Sequence, residues 1–379
     1  MRIAQVAPLF ESVPPKLYGG TERVVSYLTE ELVRQGHEVT LFASGDTETS
    51  SRLVPCCARA LWRDPNCRET LPHHVRQVEL VAREAHRFDV VHFHLDYVHF
   101  PVVGQLPCPT VTTLHGRLHP PDHQALFEAY PDVPLVSISD DQRRPLPGAS
   151  WRATVYHGLP RDLHTFREAP GTYLAFLGRV SPEKGLDTAV EIARRAGMPL
   201  KVAAKIYPEE VHYYEEVIEP LFAVSPWVEF VGEVGGQRKD EFLGNAHAVL
   251  FPINWAEPFG LVMIEAMACG TPVVAFRRGS VPEVMTDGVT GFVVDDVPGA
   301  VAAVGRAARL SRRACRRSFV ERFDAARMAR DYLAVYRKLA ADGLDRTGPT
   351  MRPAPAGRSI RHPAGLLGPV ATRTRGATT

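Results

Sequence analysis

Two glutamates, Glu257 and Glu265, are the residues whose type and spacing point most directly to chemistry. The apolar segment before them predicts a strand ending at Pro252. A helix is predicted to begin near Gly260 and to carry Glu265 among methionine, isoleucine and alanine side chains. A carboxylate in such surroundings needs hydrogen-bond donors, and two adjacent hydroxyls of a sugar can both donate to it. Taken singly, Glu257 would also fit a charge at a helix N-terminus and Glu265 a member of an internal ion pair, whereas the whole segment favours a polyol site.

Two cations, Arg179 and Lys184, occupy the loop of a second predicted strand–loop–helix unit. An arginine fork and a lysine point charge beside a helix N-terminus suit a diphosphate. The backbone N–H groups near Phe259, Gly260 and Leu261, at the start of the helix in the first segment, offer anion contacts of the same kind. Solvated surface cations are the alternative interpretation of Arg179 and Lys184.

Two adjacent glycines, Gly19 and Gly20, follow the first predicted strand and precede a predicted helix. Because glycine has no Cβ, the backbone here can approach a ligand closely; a plain loop with glycine at the helix cap is the alternative. The sequence contains neither a G-x-G-x-x-G fingerprint nor a Walker phosphate loop. Dinucleotide and nucleoside-triphosphate binding therefore lack their usual support.

Histidines at a predicted strand end offer a rival chemistry. His92, His94 and Asp96 alternate along the chain, and alternate residues share one face of a strand. A metal held there would give a metal-dependent hydrolase that uses bound water as nucleophile. No separate set of Asp, Glu or His completes a recognisable ligand pattern, so His94 and Asp96 are predicted instead to line an acceptor pocket. A zinc cluster is a further alternative, with the candidate ligands Cys57, Cys67, His73 and His74. Their spacing fits no familiar zinc finger.

Strands and helices alternate along the chain, which predicts an α/β fold with parallel sheets. The first half is predicted to contain strands at 2–8, 37–43, 89–94, 110–115, 135–139 and 153–157, and helices at 21–35 and 75–88. The second half is predicted to contain strands at 173–177, 200–206, 228–231, 248–252, 272–276 and 291–294, and helices at 186–196, 213–222, 238–246 and 261–268. These elements form two doubly wound halves, and ligands of such sheets bind beyond the carboxyl ends of the strands.

Four segments follow from this pattern. Residues 1–165 and 166–323 are predicted as two Rossmann-like domains that face a cleft. Residues 324–341 are predicted as an amphipathic helix that packs back toward the first domain. Residues 342–379 are rich in glycine, proline and arginine and are predicted to be disordered.

Composition narrows the function classes. The chain has 44 Lys+Arg and 43 Asp+Glu, a net charge of +1, so no strong field attracts nucleic acid. A spanning helix needs about 20 consecutive apolar residues, and the most apolar stretch is interrupted by Glu265, Gly270 and Pro272. No transmembrane segment is expected, although peripheral membrane contact stays open. Six scattered cysteines and a polar N-terminal segment predict reduced thiols in a cytoplasmic protein.

Taken together, these segments resemble the retaining glycosyltransferases of family 4, which have the two-domain GT-B architecture. The resemblance covers residues 1–341. It rests on Gly19-Gly20-Thr21-Glu22, on Gly178-Arg179 with Lys184-Gly185, and on the run from Glu257-Pro-Phe-Gly-Leu-Val-Met-Ile-Glu265 to Ala-Met-Ala-Cys-Gly-Thr-Pro.

The resemblance implies a hexosyltransferase that takes a nucleotide-diphosphate sugar as co-substrate, with no other cofactor. The second domain would hold most of the donor, and the first would face an acceptor that is a small molecule, a glycan or a lipid-linked compound. The resemblance implies that Arg179 and Lys184 hold the diphosphate, that Glu257 contacts the sugar hydroxyls and that Glu265 holds the ribose diol. The remaining donor contacts would come from Gly19, Gly20, Phe259, Gly260 and Leu261, and His115 would lie close to the reacting sugar.

No D-x-D motif occurs in the chain. The cations and the helix N-terminus are therefore expected to stabilise the leaving diphosphate without a metal. A catalytically silent sugar-nucleotide-binding protein stays open as an alternative.

Overall fold

A computed structural model describes residues 1–17, 19–118 and 121–344. The first sheet has seven strands: β1 (Arg2–Val6), β2 (Glu38–Ser44), β3 (Arg52–Cys57), β4 (Val90–Phe93), β5 (Thr110–Thr113), β6 (Leu135–Ser137) and β7 (Trp151–Thr154). All neighbours run parallel, in the order β3-β2-β1-β4-β5-β6-β7. The strand order therefore reverses between β1 and β4, which opens a crevice at their carboxyl ends.

The second sheet has six strands: β8 (Tyr173–Arg179), β9 (Leu200–Lys205), β10 (Val228–Gly232), β11 (Ala246–Phe251), β12 (Val273–Phe276) and β13 (Gly291–Val294). These strands are also parallel, in the order β10-β9-β8-β11-β12-β13. Here the order reverses between β8 and β11. Each sheet thus has one switch point, and the two sheets form two Rossmann-like domains.

Helices cover the sheets. Those that follow the first-sheet strands are α1 (Gly20–Arg34), α2 (Leu71–Glu84), α3 (Phe100–Val103), α4 (Pro121–Ala129) and α5 (Asp140–Arg143). Those of the second domain are α6 (Leu186–Ala196), α7 (Val211–Tyr213), α8 (Glu219–Ala223), α9 (Gly236–Gly244), α10 (Leu261–Cys269), α11 (Val281–Val284), α12 (Val297–Ala307) and α13 (Arg312–Arg322). A π-helical turn, Tyr214–Ile218, joins α7 to α8, and the chain ends its described part in α14 (Ala325–Leu344).

Burial explains these elements. Every side chain of β4 is buried, as expected for a parallel strand covered on both faces. Helix α1 buries Val24, Val25, Leu28 and Leu32, which recur at helical spacing. Helix α10 is buried along almost its whole length, which its apolar sequence permits.

The chain crosses between the domains twice, and the two crossings are hydrogen-bonded together. The Leu159 N–H donates to the Phe323 carbonyl, and the Ala325 N–H donates to the Leu159 carbonyl, each at 2.9 Å. Arg327 of α14 donates to the carbonyl oxygens of Tyr156 and His157 at 2.8 Å. Helix α14 then packs on α1, so the chain returns to the first domain after the second sheet is complete.

The predicted fold class is confirmed, and α6 begins and ends at the predicted residues. Sequence reasoning missed the edge strand β3 and the helices α12 and α13. Helix α14 continues to Leu344, past the predicted bound of 341. Most of the predicted tail, 342–379, lies outside the described residues.

Candidate functional site

A cavity of about 630 Å³ separates the two domains at the carboxyl ends of their strands. Its lining includes every residue that the sequence predicted for the donor or the acceptor side: Gly19, Gly20, His94, Asp96, His115, Arg179, Lys184, Glu257, Phe259, Gly260, Leu261 and Glu265. They follow β1, β4, β5, β8 and β11, and four of these strands flank the switch points. The fold therefore brings the predicted residues together around one cavity.

Arg179, at the end of β8, lies in a carboxylate cage of the second domain. Its guanidinium contacts Glu183 at 2.8 Å and Glu210 at 3.1 Å, and it lies over the ring of Tyr207, 5.7 Å from the centroid. Lys205, at the end of the neighbouring strand β9, lies over the same ring at 4.4 Å. Two cations therefore pack on one aromatic ring at the edge of the cleft.

Lys184 and Glu257 form a direct ion pair. The Lys184 Nζ lies 2.5 Å from the Glu257 Oε2, and both side chains are largely buried. The ammonium also lies over the Trp255 ring, 4.9 Å from its centroid. Gly185 follows in the left-handed region at φ 69°, where a Cβ would lie 2.2 Å from the Pro252 carbonyl oxygen. The loop can hold Lys184 against Glu257 only with glycine at this position.

The N-terminus of α10 points into the same cavity. Its cap residue Gly260 has φ 78°, and a Cβ there would lie 2.8 Å from the Met263 Cε. The Ser280 hydroxyl donates to the Phe259 carbonyl at 2.9 Å and steadies the turn. The first N–H groups of a helix have no partner within the helix, so this turn presents main-chain donors beside Lys184.

Glu265 is 3% exposed and forms an ion pair with Lys239 of α9. Burial alone would raise its pKa, but the Lys239 ammonium and the neighbouring His164 more than offset burial and hold the pKa below its ordinary value. Glu265 is therefore an ionised acceptor of hydrogen bonds in the cavity wall. The structural ion pair and the cavity-facing carboxylate that the sequence offered as alternatives are both present.

His115 and His94 in the first-domain wall of the cavity lead into a buried series of hydrogen-bonded side chains. The His115 Nε2 lies 2.8 Å from the His94 Nδ1, and the His94 Nε2 lies 2.8 Å from the Gln5 Oε1. The Gln5 amide donates to the Tyr336 hydroxyl at 3.0 Å. That hydroxyl lies 2.7 Å from the His92 Nδ1, and the His92 Nε2 lies 2.7 Å from the Thr113 hydroxyl. We call this series, from His115 through Tyr336 to His92 and Thr113, the imidazole chain.

Burial keeps the imidazole chain uncharged. It lowers the pKa of His115 to about 3 and holds the pKa of His94 and His92 well below the ordinary value. A neutral imidazole has one donor and one acceptor nitrogen. Since the Gln5 amide oxygen accepts from the His94 Nε2–H, the His94 Nδ1 accepts from the His115 Nε2–H. The His115 Nδ1 is left as an acceptor, and among the described residues it has no hydrogen-bond partner.

Aromatic contacts connect His115 to the second domain. The His115 ring stacks on His157 with centroids 5.3 Å apart, and the His157 ring meets Phe259 edge-on at 4.7 Å. A Cβ at Gly20 would lie 3.7 Å from the Leu261 Cδ1. The two domains therefore approach closely at the N-termini of α1 and α10, and larger residues at Gly20 would crowd that approach.

The metal alternatives are not supported. Both ring nitrogens of His92 and of His94 are hydrogen-bonded, so the cluster of His92, His94 and Asp96 predicted for a hydrolase does not form a metal site. Within the described residues, the His, Cys, Asp and Glu side chains that lie close enough for a shared ion are His164, Asp240 and Cys269. The zinc ligands proposed at 57–74 do not form such a group.

Several residues of the cavity, and of the buried hydrogen-bond chain behind it, were missed by sequence reasoning. Lys239, the partner of Glu265, is one lysine on a polar helix and carries no motif. Gln5 and Tyr336 are separated by 331 positions in the chain. Glu22 was noted only as part of a glycine motif, yet burial raises its pKa to about 7.

Comparison with known proteins finds two family models that together match most of the chain. Residues 18–162 match the family model described as Glycosyltransferase Family 4, and residues 166–311 match the model described as Glycosyl transferases group 1. The chain is similar to the phosphatidyl-myo-inositol mannosyltransferase of Mycolicibacterium smegmatis, with 26% identity over 95% of this chain and 100% of that protein.

Two solved structures share the architecture. AviGT4, a glycosyltransferase involved in avilamycin A biosynthesis, has 27% identity and a TM-score of 0.69 over 90% of this chain and 98% of its own. Anabaena HepE, in complex with UDP and glucose, has 18% identity and a TM-score of 0.68 over 89% of this chain and 100% of its own, which shows a shared fold. None of the helices in the described part of the chain combines the length and apolar character that crossing a bilayer requires.

Proposed function

The chain belongs to the glycosyltransferases of family 4 and group 1, and on that premise we propose that it transfers a hexosyl group from a nucleoside-diphosphate sugar to an acceptor hydroxyl. The proposal includes retention of anomeric configuration and independence from divalent metals. The observation that carries it is the convergence of Lys184, Glu257 and the N-terminus of α10 on one edge of the cleft. A cytoplasmic location is also proposed, and the six free thiols accord with it.

The donor would lie along the wall of the second domain. Arg179 and Lys184 hold the diphosphate, the N–H groups at Gly260 and Leu261 add main-chain donors, and Glu257 and Glu265 accept from sugar and ribose hydroxyls. The UDP and glucose bound by Anabaena HepE, and the sugar transfer named for the mycobacterial relative, support a donor of this class.

The reaction breaks the bond between the anomeric carbon and the diphosphate oxygen, and the bonding electrons leave with that oxygen. The acceptor oxygen bonds to the same face of the anomeric carbon, and its proton passes to the departing diphosphate. Negative charge grows on the diphosphate while this happens. A preorganised donor aimed at such charge contributes about 2.7–4 kcal/mol, or roughly 10²–10³ in rate, and this is the role of Lys184, Arg179 and the helix N-terminus.

His115 would position rather than exchange a proton. Its pKa of about 3 makes it a poor general base near neutral pH. Its ring lines the cavity, and the hydrogen bond between its Nε2 and the His94 Nδ1 would fix that ring beside the bound sugar. The closed cleft would also exclude water and suppress hydrolysis.

A panel of sugar nucleotides tests the proposal. A ligand at 100 times its dissociation constant stabilises the folded chain by about 2.7 kcal/mol, so a thermal-shift screen identifies the donor. NMR of the product then reads the anomeric configuration. We expect the configuration of the donor to be kept; an inverted product would contradict retention. Donor binding with neither transfer nor slow hydrolysis would instead indicate the catalytically silent alternative.

A further inference from the structure

One carboxylate of the second domain is held by main-chain donors of the first. The Glu283 carboxylate, on α11, accepts from the N–H groups of Asp140 and Asp141, the first two residues of α5, at 2.7 Å each. The Tyr156 hydroxyl, from the segment between the two sheets, donates to the same carboxylate at 3.2 Å. Hydrogen bonds to an ionised acceptor are shorter and stronger than those between neutral groups. Glu283 therefore ties the second domain to the first.

The turn that leads into Glu283 rests on the donor side of the cleft. The Ser280 N–H donates to the Glu257 carbonyl at 3.0 Å, and the Ser280 hydroxyl donates to the Phe259 carbonyl at 2.9 Å. Gly279 has φ 53°, and a Cβ there would lie 2.4 Å from the main-chain nitrogen and oxygen of Glu257. The turn is therefore packed directly against the loop that carries the donor-side glutamate.

On the first-domain side, α5 holds the loop that carries His115. Gln142 of α5 is buried, and its amide nitrogen donates to the carbonyl oxygens of Leu114 and Gly116 at 2.9 Å each. Its amide oxygen accepts from the Ile138 N–H at 2.9 Å. One side chain thus holds the carbonyl groups on both sides of His115, so a displacement of α5 would displace His115 as well.

Other contacts between the domains involve side chains that line the cavity. The Trp62 ring meets the Tyr207 ring edge-on with centroids 5.9 Å apart, and the Lys205 Nζ lies 4.0 Å from the Glu11 Oε1. Because Trp62, Tyr207 and Lys205 line the cavity, a ligand that fills the cleft can displace these contacts. The Glu283 side chain lies outside that lining and can hold the domains in the same way whether the cleft is empty or filled.

We propose that Glu283 is a positioning residue for sugar transfer. With Ser280 and Gln142 it forms a continuous connection from the Glu257 loop to the His115 loop, and we call these three residues the interdomain strap. The strap sets the separation of the two loops across the reacting sugar, and small errors in such a separation lower the rate strongly. The inference rests on the proposed function, because it concerns the transfer reaction proposed there.

Steady-state kinetics of the full-length protein test this role. Glu283→Gln keeps the size of the side chain, but its amide nitrogen is a donor and would face one of the two main-chain donors of α5. We expect kcat for transfer to fall about tenfold, the scale of one hydrogen bond to a charged group, while the donor KM stays nearly unchanged. Hydrolysis of the donor should take a larger share of turnover, because a loosened cleft admits water. A merely structural role would lower the amount of active enzyme without changing that share.

Glu30→Gln is the matched control. The Glu30 carboxylate also accepts from a main-chain N–H, that of Ser50 at 3.0 Å, and from the Thr49 hydroxyl at 2.6 Å, but all three residues belong to the first domain. This variant should keep the wild-type kcat and the wild-type share of hydrolysis. Tyr156→Phe removes one of the three hydrogen bonds to Glu283 and keeps the two main-chain ones, so it tests the strap even if Glu283→Gln folds poorly. It should change the same two quantities by a smaller factor.

Hydrogen exchange tests the strap without any substrate. The first N–H groups of a helix have no partner within the helix, so the amides of Asp140 and Asp141 depend on Glu283 for protection. In Glu283→Gln we expect these two amides to exchange about tenfold faster than in the wild type. Glu30→Gln should leave their exchange unchanged.

The strap and the proposed function fail separately. In an active wild-type background, unchanged exchange at Asp140 and Asp141 in Glu283→Gln would overturn the strap. So would a Glu283→Gln variant with the wild-type kcat, or one whose lower kcat comes with an unchanged share of hydrolysis. A wild-type protein that binds no sugar nucleotide in the thermal-shift screen would overturn the proposed function, and with it the role of the strap in transfer.

Discussion

The two walls of the cleft differ in the hydrogen-bonding groups that they present. The second-domain wall carries the ion pairs Lys184–Glu257 and Lys239–Glu265 and the caged guanidinium of Arg179. The first-domain wall carries imidazoles that burial keeps neutral, joined through amide and phenol groups. The difference indicates a division of work: charge that develops on a leaving diphosphate is met on one side, while hydroxyls are oriented on the other. The substitutions of Lys184, Glu265 and Tyr336 predicted below each perturb one side of the cleft and leave the other intact.

Replacing Lys184 should have the largest effect. Lys184→Ala removes the ammonium that would face the leaving diphosphate, and we expect kcat for transfer to fall by roughly 10²–10³. Lys201 is a suitable control, because it lies on β9, pairs with Glu229 at 2.9 Å and does not line the cavity. Lys201→Ala should keep its turnover. Near-normal turnover by Lys184→Ala would remove the charge-stabilisation role.

Replacing Glu265 should change donor selection. Glu265→Gln keeps the shape but weakens the acceptor of the ribose hydroxyls, and we expect donor affinity to fall about tenfold, the scale of one hydrogen bond to a charged group. The affinity ratio between ribose and 2′-deoxyribose donors, measured by titration calorimetry, separates this role from the Lys239 ion pair. A ratio that is the same in wild type and variant would assign Glu265 to structure alone.

Breaking the imidazole chain should have a smaller effect on the rate. Tyr336→Phe removes the hydroxyl that accepts from Gln5 and contacts His92. Losing one hydrogen bond that orients the histidines should raise the activation free energy by about 1 kcal/mol. We therefore expect kcat to fall severalfold with little change in the donor KM. Tyr173→Phe is the matched control, because its hydroxyl donates to the Phe242 carbonyl at 2.7 Å in the second domain and Tyr173 does not line the cavity. Equal kinetics for both variants would contradict positioning through Tyr336.

The neutral histidines also predict a pH dependence of stability. Burial holds the pKa of His99 at about 3, whereas an unfolded imidazole has a pKa near 6.5. Between these values the unfolded chain binds more protons. The stabilisation is therefore complete above pH 6.5 and is lost as the pH falls toward 3.

Urea unfolding at several pH values measures this slope, which is at most about 1.4 kcal/mol per pH unit for each histidine. His99→Gln should make the slope shallower by up to one such increment. His212→Gln, at a side chain that is 81% exposed, should not change it. A wild-type stability that is flat from pH 7.5 to 5.5 would show that these imidazoles are not held neutral.

The sequence predicted the second-domain wall better than the first. Lys184, Glu257 and Gly260 belong to local strand–loop–helix segments, so spacing alone places them beyond the strands at a switch point. The imidazole chain includes a hydrogen bond between Gln5 and Tyr336, which lie near opposite ends of the described sequence. No local sequence pattern encodes such a contact. Long-range polar pairing is decided by packing of α14 on the first domain, which periodicity does not reveal.

The missed elements have similar causes. Strand β3 contains Pro55 and two cysteines and lies at the sheet edge, where the apolar pattern is weak. Trp62 follows it in a segment without periodicity, so its place in the cleft could not be inferred. Helix α13 is rich in arginine, and its buried Arg312 donates to main-chain carbonyls of the second domain. An apolar search overlooks a helix anchored in this way.

The most direct test of the account is transfer by the wild-type protein in the presence of excess chelator. If Lys184, Arg179 and the N-terminus of α10 stabilise the leaving diphosphate, the transfer rate with the identified donor should be the same with EDTA as with added Mg²⁺ or Mn²⁺. A rate that disappears with EDTA and returns with either ion would contradict it.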